Sequence, residues 1–270
     1  MSHSRSSPQY SHGHESAVLA SHAARTAANS AAYLLPFLEP GMRVLDVGFG
    51  PATITLDLAE AVAPGEVVGV ENTDAPFETA RQNAAARGDE RTAFVRGDAL
   101  NLPFADDTFD VTHAHQVLQH LTDPVRALRE MARVTRRGGQ LAVRDADYLA
   151  THWFPELPEL EHWRQTYRQI ARSNRAEPDA GRHLRAWARA AGLHNVTISS
   201  SNWCYATTEA CRGWGESQAN RVGGPTFRAQ AKAQGVGPDA VDAMVAAWRA
   251  WGAHPDATYV IPNVELLARV

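Results

Sequence analysis

Residues 44–53 read VLDVGFGPAT, and they hold the densest chemical signal in the chain. A buried-type apolar run ends on the carboxylate of Asp46 and then breaks at Gly48 and Gly50. Glycine turns after strands bring backbone N–H groups close to a ligand. Two ligand classes suit such a turn. A dinucleotide needs G-x-G-x-x-G/A, and here the third small position is Thr53. Asp46 would also face the pyrophosphate. At about 5 Å and an effective dielectric near 20, each like-charge pair costs a few kcal/mol. A cationic ligand without phosphate reverses that sign, and Asp46 then attracts it.

S-adenosylmethionine is such a ligand, with a sulfonium, an ammonium and two ribose hydroxyls. The stretch VLDVGFGPA resembles the first motif of class I S-adenosylmethionine-dependent methyltransferases, with Ala52 where that motif usually has glycine. The resemblance spans about residues 40 to 147 and is nearest the ubiquinone/menaquinone-biosynthesis-like branch that methylates small molecules. It implies S-adenosyl-L-methionine as cofactor and S-adenosyl-L-homocysteine as product. It also implies site residues. Asp46 attracts the cationic methionine portion, and Gly48 and Gly50 let the adenosyl group approach the backbone; Glu71, at the end of VVGVE, takes the ribose hydroxyls, with Asn72 beside it. Asp98 accepts the adenine amine, and Ala99 offers a backbone N–H. His115 and Gln116, in HAHQVLQHL, line the methionine side. In relatives a preceding segment folds over the cofactor, which places Tyr10, with His14 nearby, at the methionine end.

The elements that must position these residues follow from periodicity. RVLDV, EVVGVE, TAFVRGD, FDVTHA and QLAVRDA are apolar runs of strand length. Helical stretches alternate with them: TITLDLAEAV, residues 75–87, and residues 123–135. Strand–helix alternation with continuous apolar strands predicts a parallel sheet covered on both faces. With the resemblance, the expected fold is α/β: a doubly wound, Rossmann-like, seven-stranded sheet, mostly parallel with an antiparallel final strand, plus helical cap insertions.

Four regions are expected. Residues 1–38 form an N-terminal segment and an alanine-rich helix over 15–38, a candidate lid. Residues 39–150 are the cofactor-binding core. Residues 151–180 are a helical cap insertion with one or two helices. Residues 181–270 complete the sheet around a second helical insertion at about 205–251, broken by glycines. The closing YVIPNVELLARV is extended, and Pro262 predicts a strand start or a bulge there.

Composition narrows the function. The chain has 270 residues, 44% of them hydrophobic and 21% charged, an ordinary globular mix. A net charge of −4 counts against nucleic acid. So does the absence of the Asp/Asn-Pro-Pro-aromatic element of methyltransferases acting on nucleic-acid amines. Cys204 and Cys211 match no metal spacing and read as reduced thiols. His113 and His115 share a strand face but have no further ligand at metal spacing, so no metal is expected. The N-terminus has no apolar signal core, and no run approaches the ~20 residues of a membrane span. The expected location is cytoplasmic, with no membrane partner; a homodimer is compatible with the composition.

The expected reaction is in-line methyl transfer to an O, N or C atom of a small organic molecule. Histidines suit a base, and His115 and His152 are the catalytic candidates, with Asp145 and Asp147 also at strand ends. Trp153, Trp163, Trp203, Trp214, Trp248 and Trp251 supply core and an apolar acceptor cavity. Arg164, Arg168, Arg172 and Arg175 lie on one helix face, read as solvated. Two other readings stand beside this one: an NAD(P)-dependent oxidoreductase, and a non-catalytic S-adenosylmethionine-binding protein.

Overall fold

The computed structural model describes residues 25–270. One mixed sheet forms its frame. Its strands are β1 (Arg43–Val47), β2 (Glu66–Glu71), β3 (Thr92–Arg96), β4 (Phe109–His115), β5 (Thr135–Ala146), β6 (His152–Phe154), β7 (Val196–Tyr205) and β8 (Thr258–Arg269). The order runs β3-β2-β1-β4-β5-β8, and β7 also pairs with β8. All pairs from β3 to β5 are parallel. β8 is antiparallel to β5, β6 and β7, so among the described strands it alone runs against the rest.

The three-residue β6 is an element the sequence did not announce. Val260 pairs with His152 on one edge and Cys204 on the other, while Ala268 pairs with Leu141 and Val196. β6 therefore prolongs the β5 edge after a break, and the sheet is seven strands wide. That break explains Pro262, which neither starts nor bulges β8. Pro262 sits inside the strand, and its carbonyl accepts the Asp147 N–H at 3.0 Å. In an antiparallel ladder the N–H and C=O of one residue face the same edge. The N–H that proline lacks would have pointed into the gap between β5 and β6.

The helices are α1 (Ala27–Ser30), α2 (Thr53–Ala61), α3 (Phe77–Ala86), α4 (Pro124–Val134), α5 (Pro158–Ser173), α6 (Leu184–Ala191), α7 (Thr208–Gly223), α8 (Pro225–Ala233) and α9 (Pro238–Ala253). Alternation along the strands splits their side chains between two faces. Val44, Val111 and Ala142 pack under Ile54, Leu58 and Ala59 of α2, together with Ala27, Ala31 and Leu34. Leu45, Val47, Leu141 and Val143 pack under Leu128 and Met131 of α4 and Leu184 and Ala188 of α6. Asp123 caps α4 by accepting the Arg126 N–H at 2.9 Å, and Pro124 occupies its first turn.

The described part of the alanine-rich stretch departs from one long helix. Thr26 and Asn29 form a reciprocal capping box around the single turn of α1, and a 3-10 turn follows at Leu35–Phe37. Thr26, Asn29 and Ser30 spend their side chains on local bonds that compete with helix continuation, and Pro36 adds a second stop.

Helices α5, α7, α8 and α9 share a second core with Tyr259 and Ile261 of β8. Trp163 and Trp248 meet edge to face at 4.9 Å, and both are buried with Trp251. These three tryptophans are packing residues. The arginine face of α5 is not simply solvated. Arg168 and Arg172 both bond the buried Asp179, and Arg164 donates to the carbonyls of Leu149 and Thr151. The face pins α5 to the segments that flank it.

Glycines 213, 215 and 252 do not interrupt the cap helices. A Cβ on Gly215 would meet the Trp248 carbonyl at 2.6 Å and Gly252 Cα at 2.9 Å, so α7 and α9 cross at a glycine pair. Gly213, two residues away, has nothing within 4 Å of that position. Gly215→Ala should cost about 1–3 kcal/mol by overpacking. Gly213→Ala should be neutral or stabilise by up to ~1 kcal/mol through helix propensity. Urea denaturation of both variants checks the contrast; equal effects would refute the close crossing.

Candidate active site

Asp46 sits at the carboxyl end of β1 and is buried. Its Oδ1 accepts from His113 Nδ1 at 2.7 Å, and its Oδ2 accepts from Thr55 Oγ1 at 2.6 Å. His113 is its direct neighbour on β4, and Thr55 lies in the first turn of α2. The carboxylate thus spends its hydrogen bonds inward, and it acts on a ligand above the turn through its charge.

The turn itself is left-handed three times: φ is +79° at Gly48, +51° at Gly50 and +64° at Ala52. This gives the physical reason a glycine is common at the Ala52 position: a Cβ there is strained by roughly 1–2 kcal/mol. A Cβ on Gly48 would stand 2.4 Å from Val117 Cγ2. Gly50 instead has no atom of the described residues within 4 Å of its Cβ position. Glu71 closes the lip. Its Oε1 accepts the Asn72 N–H at 2.9 Å, and the Gly50 amide also faces it. Burial raises the Glu71 carboxyl above its ordinary value despite those two donors. Phe49 turns inward and packs between Phe77 and Phe94, over Gly69.

After β3, Asp98 Oδ1 accepts the Leu100 N–H at 2.9 Å, an Asx-type turn that buries Ala99. At the end of β4, His115 is buried with its ring 5.5 Å from Trp203. Gln116 follows at φ +53°, an uncommon backbone for a non-glycine residue. Its N–H donates to the Arg144 carbonyl at 2.7 Å, and its Nε2 donates to Asn263 Oδ1 at 3.2 Å.

Asp46, Gly48, Gly50, Glu71, His115 and Gln116 therefore gather at the carboxyl ends of β1, β2 and β4, where open α/β sheets bind ligands. Asn72, Asp98 and Ala99 continue that rim. His152 is exposed on β6, with Nδ1 3.5 Å from the Ala150 carbonyl. Tyr10 and His14 lie outside the described residues. Asp147 is committed to structure, because Arg182 bonds both its oxygens at 2.6 and 2.7 Å. Among the described residues no three His, Cys, Asp or Glu side chains group as metal ligands, and no helix is long and apolar enough to cross a membrane.

The residues that sequence reasoning passed over are Arg144, Asn263 and Glu265. Their signal was present as charged or polar residues inside strands otherwise buried on both faces, such as the arginine of QLAVRDA.

The sheet order and the acid-flanked glycine turn define a Rossmann-like methyltransferase architecture. A family model described as a methyltransferase domain matches residues 38–205, and the chain belongs to that family. It is 38% identical over 213 residues to "Uncharacterized methyltransferase C1B3.06c" of Schizosaccharomyces pombe, covering 76% of each chain. It is 34% identical over 170 residues to a demethylmenaquinone methyltransferase of Mycobacterium sp. (strain KMS), covering 62% of this chain and 69% of that one. In fold it is similar to phosphoethanolamine N-methyltransferase 2 of Haemonchus contortus, solved with S-adenosyl-L-methionine. The TM-score is 0.56 at 16% identity, over 88% of this chain and 51% of that one.

Asp145, on the strand face opposite Arg144, holds the segment after β4. Its Oδ1 accepts the Gln119 N–H at 3.2 Å, and Oδ2 is buried with no partner. Burial pushes its carboxyl up to about 8, against the opposing pull of the Gln119 and Leu118 amides. The folded chain thus keeps a proton that the unfolded chain releases from pH 3.8 upward. The contribution of Asp145 to stability therefore falls as pH rises through this window and levels off above about 8. Asp145→Asn should flatten that decline between about pH 4 and 8. Denaturation midpoints against pH check it, and an unchanged slope would contradict the assignment.

Proposed function

We propose that the chain transfers a methyl group from S-adenosyl-L-methionine to a small organic molecule. Family membership gives the reaction class, and one observation carries the choice of cofactor: two carboxylates, Asp46 and Glu71, flank a glycine turn that is clear of the other described residues at Gly50. A diphosphate at that turn would meet negative charge on both sides, and a sulfonium with an ammonium meets attraction.

When bound, the cofactor supplies a methyl group on positive sulfur, which an acceptor atom takes in line. The chain's own residues bind, orient and shield. Glu71 accepts from the ribose hydroxyls, with Asn72 at its side. Asp98 and Ala99 hold the adenine edge. The Gly48–Gly50 backbone lets the adenosyl group approach, and the Asp46 charge attracts the cationic methionine portion. Gln116, held by Asn263, borders the methionine side. His115, buried on the strand end beside Trp203, takes the proton of an acceptor that carries one in this reading. Orientation with exclusion of water can supply ~7–11 kcal/mol of such a barrier.

The small-molecule class draws support from the acidic net charge and from the demethylmenaquinone relative. The oxidoreductase reading gains nothing from the site, since Thr53 breaks its fingerprint and the carboxylates oppose a pyrophosphate.

Glu71→Gln should weaken S-adenosylhomocysteine by about tenfold or more, the worth of a charge-assisted hydrogen bond. Calorimetry measures this, with NADH as the comparison ligand. Tight NADH binding without affinity for S-adenosylhomocysteine would defeat the reading.

A further inference from the structure

One register row crosses four neighbouring strands: His115 on β4, Arg144 on β5, Glu265 on β8 and Ser199 on β7. Residues paired in one row point to the same sheet face. Arg144 has no exposed surface. Its guanidinium lies on the Trp203 indole, with Cζ 4.9 Å from the ring centroid. Its Nε donates to Ser201 Oγ at 3.1 Å and stands 3.5 Å from Glu265 Oε1. Glu265 is itself engaged by both serines: Oε2 accepts from Ser199 at 2.6 Å, and Oε1 accepts from Ser201.

What remains is a surplus of donors. Nη1 and Nη2 of Arg144 are buried without a hydrogen-bond partner, and so is the hydroxyl of Tyr33. Tyr33 packs against the core of Val44, Val111 and Ala142, on the face of the sheet that carries Arg144. Stacking on Trp203 satisfies the face of the guanidinium and leaves its in-plane N–H groups unmet. Leaving buried donors unmade is costly, more so on a charged group. An arginine serving only to tie β7 to β8 would spend these nitrogens on that task. Burial lowers the Arg144 pKa to about 10, so the group is still a cation at neutral pH. Two adjacent free N–H groups on a rigid plane match the two oxygens of a carboxylate.

We propose that the methyl acceptor is an organic acid, and that its carboxylate is held end-on by Nη1 and Nη2 of Arg144 with the Tyr33 hydroxyl as a third donor. This rests on the methyltransferase reading, because it names the acceptor of that reaction. The gripped carboxylate is a handle and not the methylated group, since the arginine occupies its lone pairs. The nucleophilic atom lies elsewhere on the acceptor, within the neighbourhood of His115.

The test uses the full chain saturated with S-adenosylhomocysteine, titrated calorimetrically at pH 7.5. The probes are matched acid and amide pairs: benzoate and benzamide, indole-3-acetate and indole-3-acetamide, hexanoate and hexanamide. At least one acid should bind ten times more tightly than its amide, and Arg144→Met should abolish that preference while leaving S-adenosylhomocysteine affinity within about twofold. The wild-type preference needs no variant and stands even if Arg144→Met does not fold. Absence of any acid preference overturns the proposal, as does a preference that survives in folded Arg144→Met. A loss of S-adenosylhomocysteine affinity in that variant, without acid preference in the wild type, assigns the guanidinium to the cofactor's own carboxylate and also overturns it. Failure of the wild type to bind S-adenosylhomocysteine is seen before any acid is added; it refutes the methyltransferase reading and removes this proposal with it.

Discussion

A single buried carboxylate joins the parts of this molecule that matter to a ligand. Asp46 receives His113 from the neighbouring strand and Thr55 from the helix beyond the turn. The left-handed residues between β1 and α2 are thereby held at both ends. Burying a carboxylate is expensive unless its oxygens are satisfied, and here both are satisfied by groups that fix geometry. The glycine turn is rigid at its roots and clear of the other described residues at its crest, and a negative charge sits beneath it. Shape and sign come from the same side chain.

The remaining polar chemistry sits further along the same face. Below the site, Val44, Val111 and Ala142 make this face an ordinary apolar core. Two to four residues on, toward the strand ends, it becomes Asp46, His113, His115 and Arg144, with Glu265 in the Arg144 row. The opposite face is mostly apolar below Asp145, with Thr112 satisfied by Thr135. This asymmetry separates two duties within one sheet: one face is spent on stability, and the upper part of the other on recognition.

Much of this was legible in the sequence, for reasons that can be named. β1 and β2 begin and end where RVLDV and EVVGVE do, because continuous apolar runs between glycine and proline stops have one sensible conformation. Asp46, Gly48, Gly50 and Glu71 could be found because they are close in sequence and their spacing is local. Arg144, Glu265, Ser199 and Trp203 could not be assembled that way. They meet through register between strands more than fifty residues apart, and register is a property of the finished sheet. β6 escaped for a related cause: three residues of HWF carry no periodicity, and only the free edge of β8 makes them a strand. The arginine face of α5 misled because spacing reveals a shared face but not what lies opposite it, here Asp179.

The last strand has a double allegiance. Tyr259 and Ile261, in its first half, belong to the aromatic core of the cap, while Leu266 and Ala268, in its second half, belong to the sheet core under α4 and α6. Cap and sheet are thus two ends of one beam. The cap helices are not a detachable module, and exchanging them between relatives would require carrying the dozen residues of β8 along. Variation in acceptor choice is then expected to arise by substitution along the beam and its helices more readily than by wholesale replacement of the cap.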